Sequence, residues 1–167
     1  MADYFSQTIV QPVIPNACIT PLERFLLEQM FEHEEDGGRT YFFASESVTD
    51  LIDRSDGVLE TLLGADASPL AAALREALRT ADDPDCLDVG DVGYAAVFQA
   101  IVARHLTEVP YVTVEVAYTC SRMRPDGFGG SAELITAAGS QSMGTGAWLE
   151  SRIEEATATG VIKENLV

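Results

Sequence analysis

Along this 167-residue chain, apolar side chains fall at helical spacing in five stretches and in short runs or strict alternation in four others. Thr20-Pro21-Leu22-Glu23 joins an N-cap hydroxyl, a proline at the first helical position and a glutamate at N3, ahead of a stripe of Leu22, Phe25, Leu26 and Met30. This is a capping box, and it predicts a helix over 21–34 stopped by Gly37-Gly38. Val48, Leu51, Ile52, Leu59, Leu62 and Leu63 predict a second helical stretch, weakened at Gly57 and stopped at Gly64. Ser68-Pro69 opens a third helix through Thr80 by the same cap-and-proline logic. A fourth, over 91–106, takes Asp91 as N-cap and pairs Val97 with Ile101 and Phe98 with Val102; a fifth, over 146–159, presents Trp148, Leu149 and Ile153 as its apolar face.

The strand signals are fewer. Gln7 to Pro15 is rich in β-branched residues, but its two prolines demote it to an edge strand or extended arm. Arg39 to Ser45 is short and aromatic, the pattern of a buried strand. Tyr111 to Cys120 alternates, with Val112, Val114, Val116, Tyr118 and Cys120 on one side and Thr113, Glu115 and Thr119 on the other, so one face is wet. An exposed strand over 111–122 is a place where a second copy would pair, giving a homodimer. Arg124-Pro125-Asp126-Gly127 followed by Gly129-Gly130 has turn chemistry and leads into Ser131–Thr136, predicting a β-hairpin with a long loop. Strands and helices do not alternate strictly. The order predicts a single α+β domain over 1–167, with an antiparallel sheet of three to four strands, including the C-terminal hairpin, packed with about five helices.

Composition narrows the function classes. Hydrophobic residues make up 47% of the chain, which places it among globular proteins despite a formal charge of −17. That charge opposes contact with a polyanion carrying one charge per ~1.7 Å, so direct nucleic-acid binding is excluded as a general mode. Anionic membrane surfaces are disfavoured for the same reason, and no apolar run approaches the ~18 residues of a spanning helix. The residues through Asp91 carry 19 acids and 5 bases, a balance of −14, while those from Val92 onward carry 8 and 5, a balance of −3. The acidity therefore belongs to the first half, in Glu28, Glu32, Glu34, Glu35 and Asp36 and in the Asp-rich stretch 82–91. The N-terminus lacks a basic, then apolar, leader, and Cys18, Cys86 and Cys120 form no CxxC pair; both features predict a reducing, cytoplasmic setting and no disulfide framework.

Few residues suggest chemistry. Asp83, Asp85 and Asp88 supply the oxygen ligands a hard cation needs, but Pro84 interrupts them, their spacing is not that of an EF-hand, and a solvated acidic loop explains them as well. Arg122 and Arg124 beside Pro125-Asp126-Gly127-Phe128-Gly129-Gly130 would suit a small anion, with Phe128 as an aromatic anchor for a protein partner and Asp126 at the tip. A tight turn with exposed arginines is the plainer reading of the same residues. Ser140 to Gly146 precedes a helix but matches neither GxGxxG nor the lysine-containing phosphate loop. The two histidines, His33 and His105, belong to no HExxH or Cys/His ligand pattern, and no GxSxG elbow exists. No cofactor is implied.

Val13-Ile-Pro-Asn-Ala-Cys-Ile-Thr-Pro-Leu-Glu-Arg24, Tyr41-Phe-Phe-Ala44, Tyr111-Val-Thr-Val114, Thr119-Cys-Ser-Arg-Met-Arg-Pro-Asp-Gly-Phe-Gly-Gly130 and Leu134-Ile-Thr-Ala137 together resemble a family of small acidic proteins described only as plasmid-related, from alphaproteobacterial plasmids and integrative elements. The resemblance implies a bacterial cytoplasmic protein encoded with mobile-element genes, and it carries no activity, cofactor or catalytic residue. The chain departs from that family at Gly144-Thr-Gly146, where a Lys-Ser-Thr-type helix start is expected. The sequence therefore predicts a non-enzymatic acidic interaction or regulatory accessory protein with a protein partner. Two alternatives stand beside it: a DNA mimic of the anti-restriction type, which requires the acids to share one face, and a small-anion binder or enzyme built on Arg122 and Arg124.

Overall fold

In the computed structural model, which describes residues 2–90, 92–122, 124 and 127–162, the capping box closes in both directions. The Glu23 amide donates to Thr20 Oγ1 at 3.3 Å and the Thr20 amide donates to Glu23 Oε2 at 2.9 Å, at the start of α1 (Pro21–Met30). The fold is a single α+β domain, with five α-helices and nine strands among the described residues.

Seven of the strands form one antiparallel sheet. β1 (Tyr4–Gln11) pairs on one side with β7 (Val112–Cys120) and on the other with β4 (Arg39–Ala44). β2 (Ile14–Pro15) continues along β4, and β3 (Glu32–Asp36) pairs with the opposite side of β4 as an edge strand. Beyond β7 the chain meanders through β8 (Gly129–Thr136) and β9 (Gly139–Gly144), the other edge. The remaining two strands, β5 (Leu51–Asp53) and β6 (Cys86–Asp88), form a separate antiparallel ribbon. The expected sheet of three to four strands is thus too small.

One sheet face is covered by α1 and by α4 (Gly93–Arg104). Val10, Phe42, Val112, Val114 and Ile135 on that face meet Leu22, Leu26, Val97, Phe98 and Ile101 in a continuous core. Phe31, Phe42, Tyr94 and Phe98 meet at steep angles, with centroids 5.6–6.4 Å apart. α2 (Val58–Ala65) and α3 (Pro69–Thr80) extend the core through Leu59, Leu63, Leu70 and Leu74 to Ile52 and Leu87 of the ribbon. α1 and α4 are clamped by an ion pair whose carboxylate is buried: Arg104 donates to both Glu23 oxygens at 2.6 and 2.7 Å and to the Cys18 carbonyl at 3.2 Å. The Glu23 hydrogen bonds, outweighing partial burial, hold the Arg104 guanidinium even more firmly protonated than usual.

Several expectations change. The helix over 21–34 stops at Met30, because residues 32–36 enter the ladder with β4 across Gly37 and Gly38, whose φ values of +56° and +78° suit a two-residue hairpin turn. Tertiary pairing overrides the helix propensity of the Glu-rich run. The stretch 48–64 divides into β5 and α2, with Gly57 at φ +73° serving as the N-cap of α2 rather than a weak point inside it. The Asp-rich stretch, read above as a solvated acidic loop, contains β6. The stretch 7–15 is an edge only in its last part: β1 ends at Gln11, before Pro12, and lies between β4 and β7, while β2 pairs with β4 alone. Strand β7 is interior, its backbone groups being taken by β1 and β8, so 112–120 offers no open edge along which a second copy could pair. The Asp91 cap lies outside the described residues.

Candidate functional site

The structure uses the Asp-rich stretch for local turns. Asp83 Oδ1 accepts from the amides of Asp85 (2.8 Å) and Cys86 (3.2 Å), and Asp88 Oδ1 accepts from the amide of Gly90 (2.9 Å). These are side chains turning their own backbone, the usual habit of aspartate. Among the described residues no three His, Cys, Asp or Glu side chains gather in a way that would hold a metal ion.

The hairpin tip turns on its own backbone and meets the start of the chain. The Arg124 amide donates to the Arg122 carbonyl at 2.8 Å, the Gly127 amide to the Arg124 carbonyl at 3.0 Å, and Arg124 Nη1 reaches the Tyr4 hydroxyl at 3.4 Å. Phe128 is exposed, and Asp126 lies outside the described residues. Gly127 is required by close approach: a Cβ there would stand 2.5 Å from Cys120 Cβ. Neither Arg122 nor Arg124 lines the large groove described next.

That groove, of about 740 Å³, lies on the sheet face turned away from α1 and α4. Alternation builds it. Since Thr8, Val10, Thr40, Phe42, Ala44, Val112 and Val114 point into the core, Gln7, Ile9, Tyr41, Phe43, Glu115 and Ala117 must point out, joined by Ala132 and Met143. Tyr41 and Phe43, two apart on β4, stack at 5.3 Å and 21°. Glu34 of β3, opposite Tyr41, and Glu115 of β7, opposite Ile9, are the charged lining residues, and both are acids. The far wall is Trp148.

Trp148 belongs to α5 (Thr145–Ala158), which begins at the residue after β9 ends. Its entry is fixed where the Gly130 amide donates to Thr145 Oγ1 at 3.1 Å, and Gly130 itself leaves no room for a side chain, a Cβ there falling 2.7 Å from the Val116 carbonyl oxygen. None of the 14 residues of α5 is buried. Trp148, Leu149 and Ile153 are 50–54% exposed, and Met143 beside them is 59% exposed.

No histidine or cysteine lines the groove. It offers an apolar floor, an aromatic wall and two carboxylates, which suits the docking of another apolar surface. Sequence reasoning missed it. Trp148, Leu149 and Ile153 are readable as an apolar helix face, but nothing in the order of residues shows that this face has no cover; β9, polar and glycine-flanked, reads as a loop.

Comparison of the chain with known protein families, with curated proteins and with solved structures finds no match.

Proposed function

We propose that the protein is a non-enzymatic interaction protein, of the regulatory accessory kind, that docks a polypeptide on the outer face of its sheet. The observation that carries this reading is the groove itself, an apolar surface bounded by aromatic side chains and two carboxylates, continuous with a helix none of whose residues is buried. Soluble monomers rarely leave apolar patches of more than a few hundred Å² open, and such patches serve as contact surfaces. Burial of Tyr41, Phe43 and Trp148 by a partner would supply the aromatic anchors on which interfaces depend.

The test is photo-crosslinking in cells, with p-benzoylphenylalanine placed singly at Phe43, Met143 or Phe128. Adducts with a polypeptide from Phe43 and Met143 are expected. Adducts from Phe128 alone would move the docking surface to the hairpin tip and refute the groove, and no adduct from any position would refute docking altogether.

A further inference from the structure

We infer that the polypeptide seated in the groove is a second copy of this chain, α5 of each copy lying on the outer sheet face of the other in an isologous dimer. The inference rests on the docking reading above and names its occupant.

Helix α5 meets β8 and β9, yet none of its residues is buried. Isolated helices of this length are marginal in water, so helices in proteins owe most of their stability to packing of an apolar face. At ~100° per residue, Trp148, Ala156, Leu149 and Ile153 fall within an arc of about 140°, with Arg152 inside the same arc, while Glu150, Ser151, Glu154 and Glu155 occupy the rest. That stripe needs an apolar surface, since Arg152 already meets Glu155 of the same helix. The groove is such a surface, lined by Ile9, Tyr41, Phe43 and Met143.

The helix reaches its own groove only with its first turn. No linker separates β9 from α5, and the Gly130–Thr145 hydrogen bond fixes the entry, so Thr145 and Trp148 line the cavity while Leu149 and Ile153 do not. A second copy meets both needs together. The stripe and the groove adjoin in one chain at Met143 and Trp148, which is the arrangement a two-fold axis uses to pair each with the other.

Area and edges agree. Ile9, Leu134, Met143, Trp148, Leu149 and Ile153, each roughly half exposed, present on the order of 500 Å² of apolar surface per copy, so two copies bury about the 1,000 Å² that a specific interface needs. Strand addition at β3 is opposed by its sequence, Glu32-His33-Glu34-Glu35-Asp36, all exposed, because a charged edge repels its own image. With −17 on each copy, long-range repulsion opposes the dimer and salt screens it, the Debye length being ~10 Å at 0.1 M.

Sedimentation and light scattering on the purified chain at about 10 μM are expected to give about 36 kDa, twice the 18.0 kDa chain, with the dimer fraction rising between 0.05 and 0.5 M NaCl. Trp148→Asp and Ile153→Glu, each at a half-exposed side chain and verified as folded by circular dichroism, are expected to raise the dissociation constant more than about 100-fold, since each change occurs twice in the interface. Leu106→Glu, beyond the end of α4, is expected to leave the mass unchanged. A single-chain mass at 100 μM, a dimer that survives both stripe substitutions, or a dimer that weakens as salt rises overturns the inference. Crosslinks from Met143 separate the two readings: an adduct of two copies supports both, an adduct with another polypeptide from a monomeric chain overturns only the second copy, and no adduct overturns both.

Discussion

Replacing Glu23 by alanine removes three hydrogen bonds at one stroke and should be the most damaging single side-chain truncation at a polar position of this core. The side chain is 2% exposed and accepts from the Thr20 amide and from both terminal nitrogens of Arg104. Breaking a fully buried ion pair costs about 3–5 kcal/mol, because the remaining charge is stranded. Arg104 is more than a third exposed and can turn to water, which brings its share down to about 2 kcal/mol. The lost half of the capping box adds about 0.5–1 kcal/mol. The expected total is about 3 kcal/mol, or a fall in Tm of about 6–12 °C for a chain of this size. Urea unfolding at fixed protein concentration measures it, with Arg104→Ala and the double variant closing a cycle whose coupling should exceed ~1.5 kcal/mol. The coupling should fall less between 0.05 and 0.5 M salt than that of a fully exposed pair, since the Glu23 carboxylate is buried. A loss below 1 kcal/mol for Glu23→Ala, or no coupling to Arg104, would refute the clamp between α1 and α4.

Two further outcomes follow from close approach and from burial. Gly127→Ala places a Cβ 2.5 Å from Cys120 Cβ, and the overpacking should cost about 1–3 kcal/mol in thermal unfolding, with no comparable loss for the solvent-facing Gly146→Ala. Burial first, and then the Glu133 carboxylate 3.0 Å away, raise the Tyr94 phenol well above its ordinary value. A raised folded-state pKa contributes stability that is complete below the unfolded value near 10 and is lost as pH rises above it. Tyr94→Phe should therefore be less stable than the parent at pH 7 by about 1 kcal/mol, and the gap should narrow by roughly 1.4 kcal/mol per pH unit above 10; a constant gap across that range would contradict the burial argument.

Local signals carried the helices well. Thr20 and Ser68 cap α1 and α3 as their sequences require, because a hydroxyl at N-cap and a proline at N1 act within one turn and need no distant partner. The alternation of Val112, Val114 and Glu115 specified β7 and its two faces. The Glu-rich run 32–36 went the other way: it has helix-forming residues, yet Gly37-Gly38 and the ladder with β4 make it a strand. β9, Gly139-Ser-Gln-Ser-Met-Gly144, has no strand signature and is held by β8.

The sequence by itself determined the α+β class, most helix starts and the concentration of negative charge in the first half, all of which depend on composition or on contacts within a few residues. Only the tertiary structure decided that β1 and β7 are interior, that Arg122 and Arg124 stand away from the large groove, and that Tyr41, Phe43, Met143 and Trp148 share one open surface. Those facts rest on pairings between residues more than a hundred positions apart, such as Tyr4 with Cys120. Alternation tells which side chains share a face of one strand, but which face the helices cover is settled by global packing, and here α1 and α4 cover the inner one.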